Sequence, residues 1–399
     1  MLRTDAMDNK NILISGAGIA GVTLAYWLKK FGFNPTIIEV SPTLREGGYA
    51  IDFMGAGYDV AEKMGIIPAL AKTDLHITSI AFVDKDNNER GSMNYEKVKS
   101  VLKNRAFTLR RSDLAKVIYE SLDKQTESIF GDTISAIQQD DEKVTLTLKR
   151  GTTRPFDLLV GADGLHSNVR NLTFGKEAQF ETYFGYYTSS YTMDEFSEAR
   201  AFSMMNVPYK QVAVYTLGDG RVATLFVFTA PEKLAYDHHD VAKQKQILKN
   251  EFVNAGWKCP ELLAGIDTTA DFYFDPISQI KMEHWSKGRV SLVGDACDCP
   301  SLLSGKGSTL AMVGAYILAG ELKQANGNYK TAFAAYENIF KPFIDKKQKS
   351  AEAFAKFFVP KTNFGIWVRN EAFKLMSFPL FTNIMFSQFK DNGLNLEAY

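Results

Sequence analysis

A glycine-rich turn at residues 16–21 (GAGIAG) constrains this chain more than any other feature. A short apolar run at residues 11–15, typical of a buried strand, precedes it, and a helical stretch extends from Ile19 to about Phe31. A second apolar run then ends at Glu39. This order of strand, turn, helix, strand and acid is typical of a Rossmann-like unit that binds an adenine dinucleotide.

Each part of this unit has a physical role beside a dinucleotide. Gly16 permits the tight turn, Gly18 lets the backbone approach a pyrophosphate, and Gly21 lets helix and strand pack closely. The helix start, which includes Ala20, offers unpaired N–H groups and a positive dipole end to phosphates. Glu39 can accept hydrogen bonds from ribose hydroxyls. The fingerprint alone does not separate NAD from FAD, and an empty Rossmann-like unit is the structural alternative.

Two later segments repeat the pattern of a strand that ends in a glycine and an aspartate. Within residues 156–170, a buried strand leads into Asp163-Gly164 and then into a helix. Within residues 288–296, a strand ends at Gly294-Asp295. Ligands of open α/β sheets bind just beyond the carboxyl ends of the strands. The three segments therefore predict glycine turns and carboxylates at one crevice.

Composition favours a soluble enzyme of two domains in the cytoplasm. The 399 residues exceed what one simple core usually organises, and 46 basic side chains balance 46 acidic ones, which favours neither nucleic acid nor an anionic membrane as a partner. No run approaches the ~18 apolar residues of a membrane span. The polar N-terminus lacks a signal-peptide pattern, and three cysteines are too few for a disulfide framework. Because no nucleophile motif, metal cluster or P-loop lysine is found, a cofactor must supply the reactivity.

Together the three segments resemble the FAD-dependent aromatic hydroxylases, the group A flavoprotein monooxygenases related to para-hydroxybenzoate hydroxylase. The resemblance covers roughly residues 11–322 and implies an α/β fold: a Rossmann-like FAD-binding domain, an inserted antiparallel-sheet substrate domain and a C-terminal helical segment. It implies that Asp163 contacts both FAD and NAD(P)H and that Asp295 binds the FAD ribose. Arg111 is the implied contact to the ribityl or phosphate region, and Arg45 the implied contact near the adenosine.

The resemblance also marks positions around the flavin ring. Asp52 follows a glycine turn on a segment that passes near the flavin in the resembling enzymes. A glycine loop after Asp295 leaves space for a planar ring, and the next helix, with Ser308 as its expected N-cap, would stabilise negative charge on that ring; an ordinary capped helix is the alternative. The other predicted contacts here are Gly164, Pro300, Gly305 and Gly307.

Two positions depart from the usual pattern of the resembling enzymes. Asp298 stands where most of them carry a histidine, so the contribution of that histidine to the flavin surroundings is in doubt for this chain. Lys306 stands where a neutral polar residue is common, and it would either raise the flavin potential or point into water.

A β-rich region from about Tyr183 to Phe274 predicts a separate antiparallel sheet, which by resemblance covers the flavin and forms the substrate wall. Four aromatic residues of this sheet are candidates for stacking on a planar substrate: Phe202, Tyr215, Phe226 and Phe228. The alternative for each is that it packs in the core of the sheet. The expected division assigns residues 7–77, 101–180 and 276–322 to the FAD-binding domain, 78–100 and 181–275 to the substrate domain, and 323–399 to C-terminal helices that bridge both.

The C-terminal region is predicted to be helical, with one helix from Tyr329 to about Lys349 and a second region cut by Pro360. An apolar stretch follows at residues 366–389, but charged residues interrupt it too often for a membrane span. Together with residues 48–52, 271–275 and 279–282, this tail resembles a subgroup that inactivates tetracyclines, in which an extra C-terminal helix borders the substrate site. A dimer contact or simple packing across both domains is the alternative, so a monomer or a homodimer is expected.

The resemblance implies a reaction as well. NADPH or NADH would reduce FAD transiently, O2 would add to give a flavin C4a-hydroperoxide, and one oxygen atom would enter an aromatic or polycyclic small molecule. No second dinucleotide fingerprint is visible, which fits a visiting nicotinamide. Two alternatives remain: a flavin oxidase or reductase without oxygen insertion, similar to isoprenoid-saturating enzymes, and a non-enzymatic binding protein of the same fold. Intact Glu39, Asp163 and Asp295 argue against the latter.

Overall fold

The structure is a computed structural model that describes residues 7–45, 47–194, 196, 200–237, 240–375, 396 and 399. Within these ranges, no helix combines the length and the apolar character that crossing a membrane requires. Most of the predicted apolar stretch at 366–389 lies outside the described residues, which end at 375 before resuming at 396.

Strands and helices alternate through the first half of the chain, and helices dominate the last part. The strands are β1 Asn11–Ser15, β2 Asn34–Glu39, β3 Ala50–Met54, β4 Ser79–Val83, β5 Glu89–Asn94, β6 Ala106–Arg110, β7 Glu127–Phe130, β8 Ile134–Gln139, β9 Val144–Leu148, β10 Thr153–Phe156, β11 Leu158–Gly161, β12 Glu181–Ser190, β13 Thr192–Met193, β14 Phe202–Val207, β15 Lys210–Thr216, β16 Val222–Thr229, β17 Tyr273–Ile280, β18 Ser286–Lys287 and β19 Val290–Leu292. The α-helices are α1 Ile19–Lys30, α2 Ala56–Met64, α3 Ile67–Leu70, α4 Tyr95–Val101, α5 Arg111–Glu120, α6 Asn168–Thr173, α7 Val241–Phe252, α8 Cys259–Gly265, α9 Asp295–Asp298, α10 Gly307–Gln324, α11 Tyr329–Phe358 and α12 Asn363–Leu375.

The first sheet has six strands in the order β18-β19-β11-β1-β2-β7, parallel except at β18. Its central strand pairs Ile14 with Ile37 on one side and with Val160 on the other, and all three are buried. Strands buried on both faces consist of nearly continuous apolar residues, which is why residues 11–15 and 158–161 lack polar alternation. The carboxyl ends of β1, β11 and β19 therefore meet at one edge, as the sequence predicted.

The second large sheet has eight strands, with β17-β12-β16-β15-β14-β4-β5 in line and β13 beside β16. The hairpin of β4 and β5 joins its far end, where β4 pairs in parallel with β14. We call the side covered by α7 and α8 the back face, because Leu248 and Leu262 of these helices pack there in one apolar cluster with Phe226. The opposite side, the front face, contacts β3 and the loop that follows α9.

The C-terminal helices differ from the sequence prediction in one respect. The predicted break after Lys349 is wrong, because α11 continues without interruption to Phe358 and contains Pro342. It ends two residues before Pro360, since a proline disfavours helical backbone in the residue before it. Helix α12 then packs on β5 and β14, and Arg369 Nη1 donates to Gln211 Oε1 at 3.4 Å, so this helix reaches the rim of the front face.

Candidate active site

The glycine turn after β1 is packed directly against the turn after β11. Gly16 has a φ of 108°, and a Cβ on it would lie 2.5 Å from the Ala162 carbonyl oxygen. A Cβ on Gly21 would overlap the Gly16 carbonyl oxygen. A Cβ on Gly18, in contrast, would meet no atom within 4 Å. Two of the three predicted glycines are therefore required for packing, and the third leaves bare backbone facing open space.

Glu39 closes this turn from the end of β2. Its carboxylate, which is only 8% exposed, accepts hydrogen bonds from the Ala17 N–H at 2.8 Å and the Ser41 N–H at 2.9 Å. A carboxylate has about four lone-pair sites, so further donors can still bind. The exposed Arg45 guanidinium lies 3.8 Å from the same carboxylate.

Asp163 and Gly164 form the loop between β11 and α6. The Asp163 carboxylate accepts from the Val169 N–H at 3.0 Å and from the Ser167 hydroxyl, so it holds the start of α6, while burial raises its pKa. A Cβ on Gly164 would again meet no atom within 4 Å. The fully buried Arg170, which sequence reasoning missed, donates to the Ala296 carbonyl at 2.8 Å and ties this loop to the third motif.

The third motif places Asp295 beside the start of α10. Gly294 has a φ of 66°, and a Cβ on it would lie 3.0 Å from the Ala20 Cβ, so α1 packs on this turn. A Cβ on Gly307 would lie 3.8 Å from Asp295 Oδ1. Buried Pro300 accepts a hydrogen bond from Gln279 Nε2 at 3.1 Å.

The predicted cap of α10 is wrong. Lys306 occupies the N-cap position and Gly307 is the first helical residue, so Ser308 lies inside the first turn. Its N–H is still one of the groups that have no partner within the helix. The left-handed Gly305, whose Cβ would meet no atom within 4 Å, turns the chain into this helix.

Arg111, Asp295 and two tyrosines share one cleft. Burial raises the pKa of Tyr49 to about 12, while nearby Arg111 lowers it and Asp295 raises it. The Tyr49 ring lies 6.0 Å from the Tyr273 ring, and Arg111 keeps solvent contact although Tyr49, Asp295 and Tyr273 surround it. No sequence pattern assigned either tyrosine an individual role, although each lies in a segment that resembles the tetracycline-inactivating subgroup.

Asp52 lies on β3 in a small polar cluster. Its carboxylate accepts from the Tyr95 hydroxyl and, at 3.2 Å, from the Thr108 hydroxyl, and burial raises its pKa despite these bonds. The Asp52 side chain nevertheless keeps solvent contact, as a group in the wall of an open cleft does.

Asp298, which replaces the expected histidine, is buried behind this cleft. Among the residues that the structure describes, neither of its carboxylate oxygens has a hydrogen-bond partner. Burial, and then the neighbouring Asp295, raise its pKa well above the usual value. This environment favours the protonated form of Asp298.

The four aromatic residues proposed for the substrate wall lie on different faces of the large sheet. Phe202 and Tyr215 are on the front face, with ring centroids 5.5 Å apart, and the Tyr215 oxygen accepts a hydrogen bond from the Ala50 N–H of β3. Phe226 and Phe228 are buried on the back face against Phe252 of α7. The structure therefore places the first two toward the cleft and the last two away from it.

The family described as "FAD binding domain" matches residues 9–329. The chain belongs to this FAD-binding family. An uncharacterized protein of Mycobacterium tuberculosis, Rv1260, is 38% identical over 345 residues, which are 85% of this chain and 92% of that protein. A flavin-dependent monooxygenase of Legionella longbeachae is 35% identical over 361 residues, 90% of this chain and 89% of that protein.

Among solved structures, tetracycline destructase Tet(51) is similar with a TM-score of 0.85 and 31% identity, covering 97% of this chain and 99% of that one. This member of the FAD-binding family is therefore an enzyme of the FAD-dependent monooxygenase class. The residues of the site fit FAD. Gly18 and Gly305 leave open space against bare backbone, where parts of the cofactor can lie. Arg111, near Asp295, is accessible from solvent and can therefore contact a ligand.

Proposed function

We propose that this enzyme consumes NADPH or NADH and inserts one oxygen atom from O2 into an aromatic or polycyclic small molecule, and that a tetracycline is the first substrate to test. The observation that carries the proposal is the cleft in which Arg111, whose backbone N–H donates to the Tyr49 carbonyl at 3.3 Å, lies near Asp295 and Tyr273. The similarity to tetracycline destructase Tet(51), at 31% identity over 97% of this chain, supports the choice of substrate.

We propose that the first sheet holds the cofactor along its carboxyl edge. The turn at Gly16 and Gly18 and the start of α1 would bind the pyrophosphate through backbone N–H groups, with Ala20 and Gly21 keeping α1 close to the turns. Glu39 would bind the adenosine ribose, assisted by Arg45.

The flavin end of the cofactor would lie at the third motif. Asp295 and Arg111 would bind the ribityl and ribose part, Asp52 and the Gly164 loop would border the ring, and Gly305 would leave space for it. The remaining proposed contacts to FAD are Pro300, Gly307 and Ser308. The start of α10 would stabilise negative charge on the ring. When bound, FAD supplies hydride acceptance from the nicotinamide and the activation of O2.

We propose that the front face of the large sheet is the substrate wall. Phe202 and Tyr215 lie on it, and the front-face contacts of Leu302 and Leu303 close the cleft near the proposed flavin position. Exclusion of water from this cleft would suppress side reactions of activated oxygen. The division into an FAD-binding part, a substrate sheet and C-terminal helices that bridge both belongs to the same proposal.

The experiment follows NADPH and O2 consumption by the purified yellow holoenzyme with and without tetracycline, together with product mass. We expect tetracycline to increase both consumption rates, and we expect a product heavier by one oxygen atom. NADH replaces NADPH in a parallel series. Turnover that continues unchanged under nitrogen, with no gain of oxygen, would instead identify a reductase. A colourless protein that cannot be reconstituted with FAD would contradict the proposal altogether.

Helix α12 offers a test of the substrate side. It reaches the front face through Arg369 and Gln211, so we propose that it borders the substrate site. Deleting the chain from Ile366 onward should reduce turnover far more than FAD retention, measured by flavin absorbance. Equal turnover of the truncated and full-length enzymes would show that the tail only packs against the body of the protein.

A further inference from the structure

The start of β17 presents two polar side chains to the cleft. Successive residues of a strand point to opposite faces. Phe274 packs on the back face, where its ring lies 5.3 Å from that of Tyr187. Its neighbours Tyr273 and Asp275 therefore point to the front face, and Tyr273 lies there beside Tyr49 and Arg111.

These two residues belong to a chain of hydrogen bonds that leads away from the cleft. The Tyr273 hydroxyl donates to Asp275 Oδ2 at 3.1 Å. His166, from the loop after β11, places Nε2 2.8 Å from Asp275 Oδ1 and Nδ1 3.0 Å from the Glu177 carboxylate. Glu177 also accepts from the buried Arg170 at 2.9 Å. The network thus joins the cofactor half of the molecule to the wall of the cleft.

The charges in this network determine the direction of each hydrogen bond. A histidine with a carboxylate at each ring nitrogen is held as an imidazolium that donates both N–H groups. Burial lowers the pKa of His166, but its hydrogen bonds to Asp275 and Glu177 outweigh this effect and raise the pKa to about 10. Asp275 consequently stays an acceptor, and the Tyr273 O–H is committed to it. Toward the cleft, the Tyr273 oxygen can offer only lone pairs.

The neighbouring strand supplies a second observation that the wall is built for a polar ligand. Ser190 and Thr188 of β12 lie directly opposite Tyr273 and Asp275 in the sheet register. Both are buried, at 1% and 2% exposure, and their hydroxyl oxygens have no hydrogen-bond partner among the described residues. Buried hydroxyls are normally paired, so these two call for a buried water or a ligand group as a partner.

We propose that Tyr273 is a substrate-binding residue whose phenolic oxygen accepts a hydrogen bond from a hydroxyl or amide N–H of the substrate. Asp275 and His166 are positioning residues that keep the Tyr273 O–H turned away from the substrate. The proposal rests on the proposed function, because it places the substrate in the same cleft. The proposal predicts the substrate class: polycyclic molecules that carry a hydrogen-bond donor on the side facing β17.

The test measures binding to the holoenzyme by changes in flavin absorbance. The probes are tetracycline, 2-hydroxyanthraquinone, whose hydroxyl is free to donate, and its methyl ether, which lacks the donor. We expect wild type to bind the hydroxy probe at least ~10-fold more tightly than the ether, because one hydrogen bond of about 1.4 kcal/mol corresponds to a tenfold difference. Tyr273→Phe should bring this ratio close to one. The matched control is Tyr187→Phe, which removes a tyrosine hydroxyl on the back face and should preserve the ratio.

Asp275→Ala tests the positioning role while Tyr273 stays intact. With its acceptor gone, the Tyr273 O–H is free to donate to the cleft, so we expect the ether to bind more tightly than in wild type and the ratio to fall. A purely structural role would weaken both probes equally. If Asp275→Ala does not retain FAD, Asp275→Val serves the same purpose, because it also removes the acceptor of the Tyr273 O–H.

Two outcomes would overturn the proposal, and they are distinguishable. If wild type binds both anthraquinones equally, or if its preference survives Tyr273→Phe, then Tyr273 is not the acceptor and the proposed function stands. If tetracycline and both anthraquinones leave the flavin spectrum unchanged at millimolar concentration, the proposed polycyclic substrate class is wrong, and the inference fails with it.

Discussion

The two faces of the large sheet have opposite chemistry although they share every strand. On the back face, the Phe226 and Phe252 rings lie 4.9 Å apart, the Tyr187 and Phe228 rings lie 5.7 Å apart, and all four are buried. On the front face, hydroxyl-bearing side chains such as Tyr273 accompany the apolar ones. The back face is a hydrophobic core, and the front face combines apolar area with fixed hydrogen-bonding groups, as ligand sites do.

The comparison teaches that aromatic content alone does not locate a substrate site. Aromatic rings stack on planar ligands, but they also contribute most to core packing because each buries a large apolar area. In this sheet, the rings with the closest mutual contacts, such as Phe226 with Phe252, stabilise the fold. The residues that we assign to recognition are fewer and more polar.

The largest expected effect is on stability, from the back face. Phe228→Ala should lower the free energy of unfolding by about 3–5 kcal/mol, because it leaves a cavity in a packed core. The matched front-face variant, Phe202→Ala, should cost less, since that side chain is only partly buried. Urea denaturation of both variants provides the measurement. A larger loss for Phe202→Ala would reverse our assignment of the two faces.

The next effect concerns the cofactor that the front face is proposed to meet. Asp295→Ala should weaken FAD binding by about 100-fold, roughly 3 kcal/mol, since it removes a charged hydrogen-bond acceptor, while the far-ultraviolet circular dichroism stays unchanged. Asp298→Asn is the control, because it changes a carboxyl of the same motif that is buried behind the cleft and whose pKa burial raises. Flavin release on dilution gives the affinity. Full flavin occupancy of the Asp295→Ala variant would contradict our assignment of Asp295 as a residue that binds FAD.

A smaller effect is expected where the front face is joined to β3. Tyr215→Phe removes the acceptor of the Ala50 N–H and should destabilise the protein by about 1–2 kcal/mol, because a backbone donor then loses its partner. Thermal unfolding of the holoenzyme measures the loss. An unchanged midpoint temperature would mean that this bond does not hold the two parts together.

The smallest effect is a pH dependence from His166, which faces Glu177 and Asp275 with Arg170 nearby. Its pKa rises from 6.5 in the unfolded chain to about 10 in the folded protein. Its stabilising effect is therefore fully present below about pH 6.5, while the two carboxylates stay ionised, and is lost as pH rises toward 10. Because the side chain is partly exposed, we expect a difference of about 1 kcal/mol or less.

The measurement compares wild type with His166→Ala by urea denaturation between pH 6 and pH 10. The two unfolding free energies should differ most at pH 6 and converge toward pH 10. A difference that grows with pH would show that His166 is neutral in the folded protein, and the fixed direction of the Tyr273 hydrogen bond would then lose its basis.

Local patterns in the sequence were sufficient for the elements that carry the cofactor motifs. The turn at Gly16, the helix that follows it and the strand ending at Glu39 were all predicted, because a glycine turn and apolar periodicity act over a few residues. The same locality explains an error: Ser308 is a good capping residue, but after the left-handed Gly305 the helix α10 starts two residues earlier than expected. The cofactor roles of these residues stay predictions.

Other parts of the candidate site had a weaker local signal. Tyr49 and Tyr273 lie in segments that resemble the tetracycline-inactivating subgroup, and His166 follows Asp163-Gly164, but no pattern gave these side chains their roles. Tyr49 and His166 lie beside partners more than 100 residues away, which are Tyr273 and Asp275 respectively. The alternation of residues along a strand shows which side chains share a face of that strand. It does not show whether Phe202 and Phe226, on different strands, share a face of the sheet, or which face meets a cofactor.

The sequence by itself determined that the chain carries a dinucleotide-binding unit and two further strand ends with a glycine and an aspartate, because glycine turns, helix starts and carboxylates act through their own backbone; the family resemblance added FAD. Only the tertiary structure decided which face of the large sheet is the wall of the cleft and which way the Tyr273 hydroxyl points. Those properties depend on charges and packing between segments distant in the chain, and only the folded protein brings these segments within hydrogen-bond range.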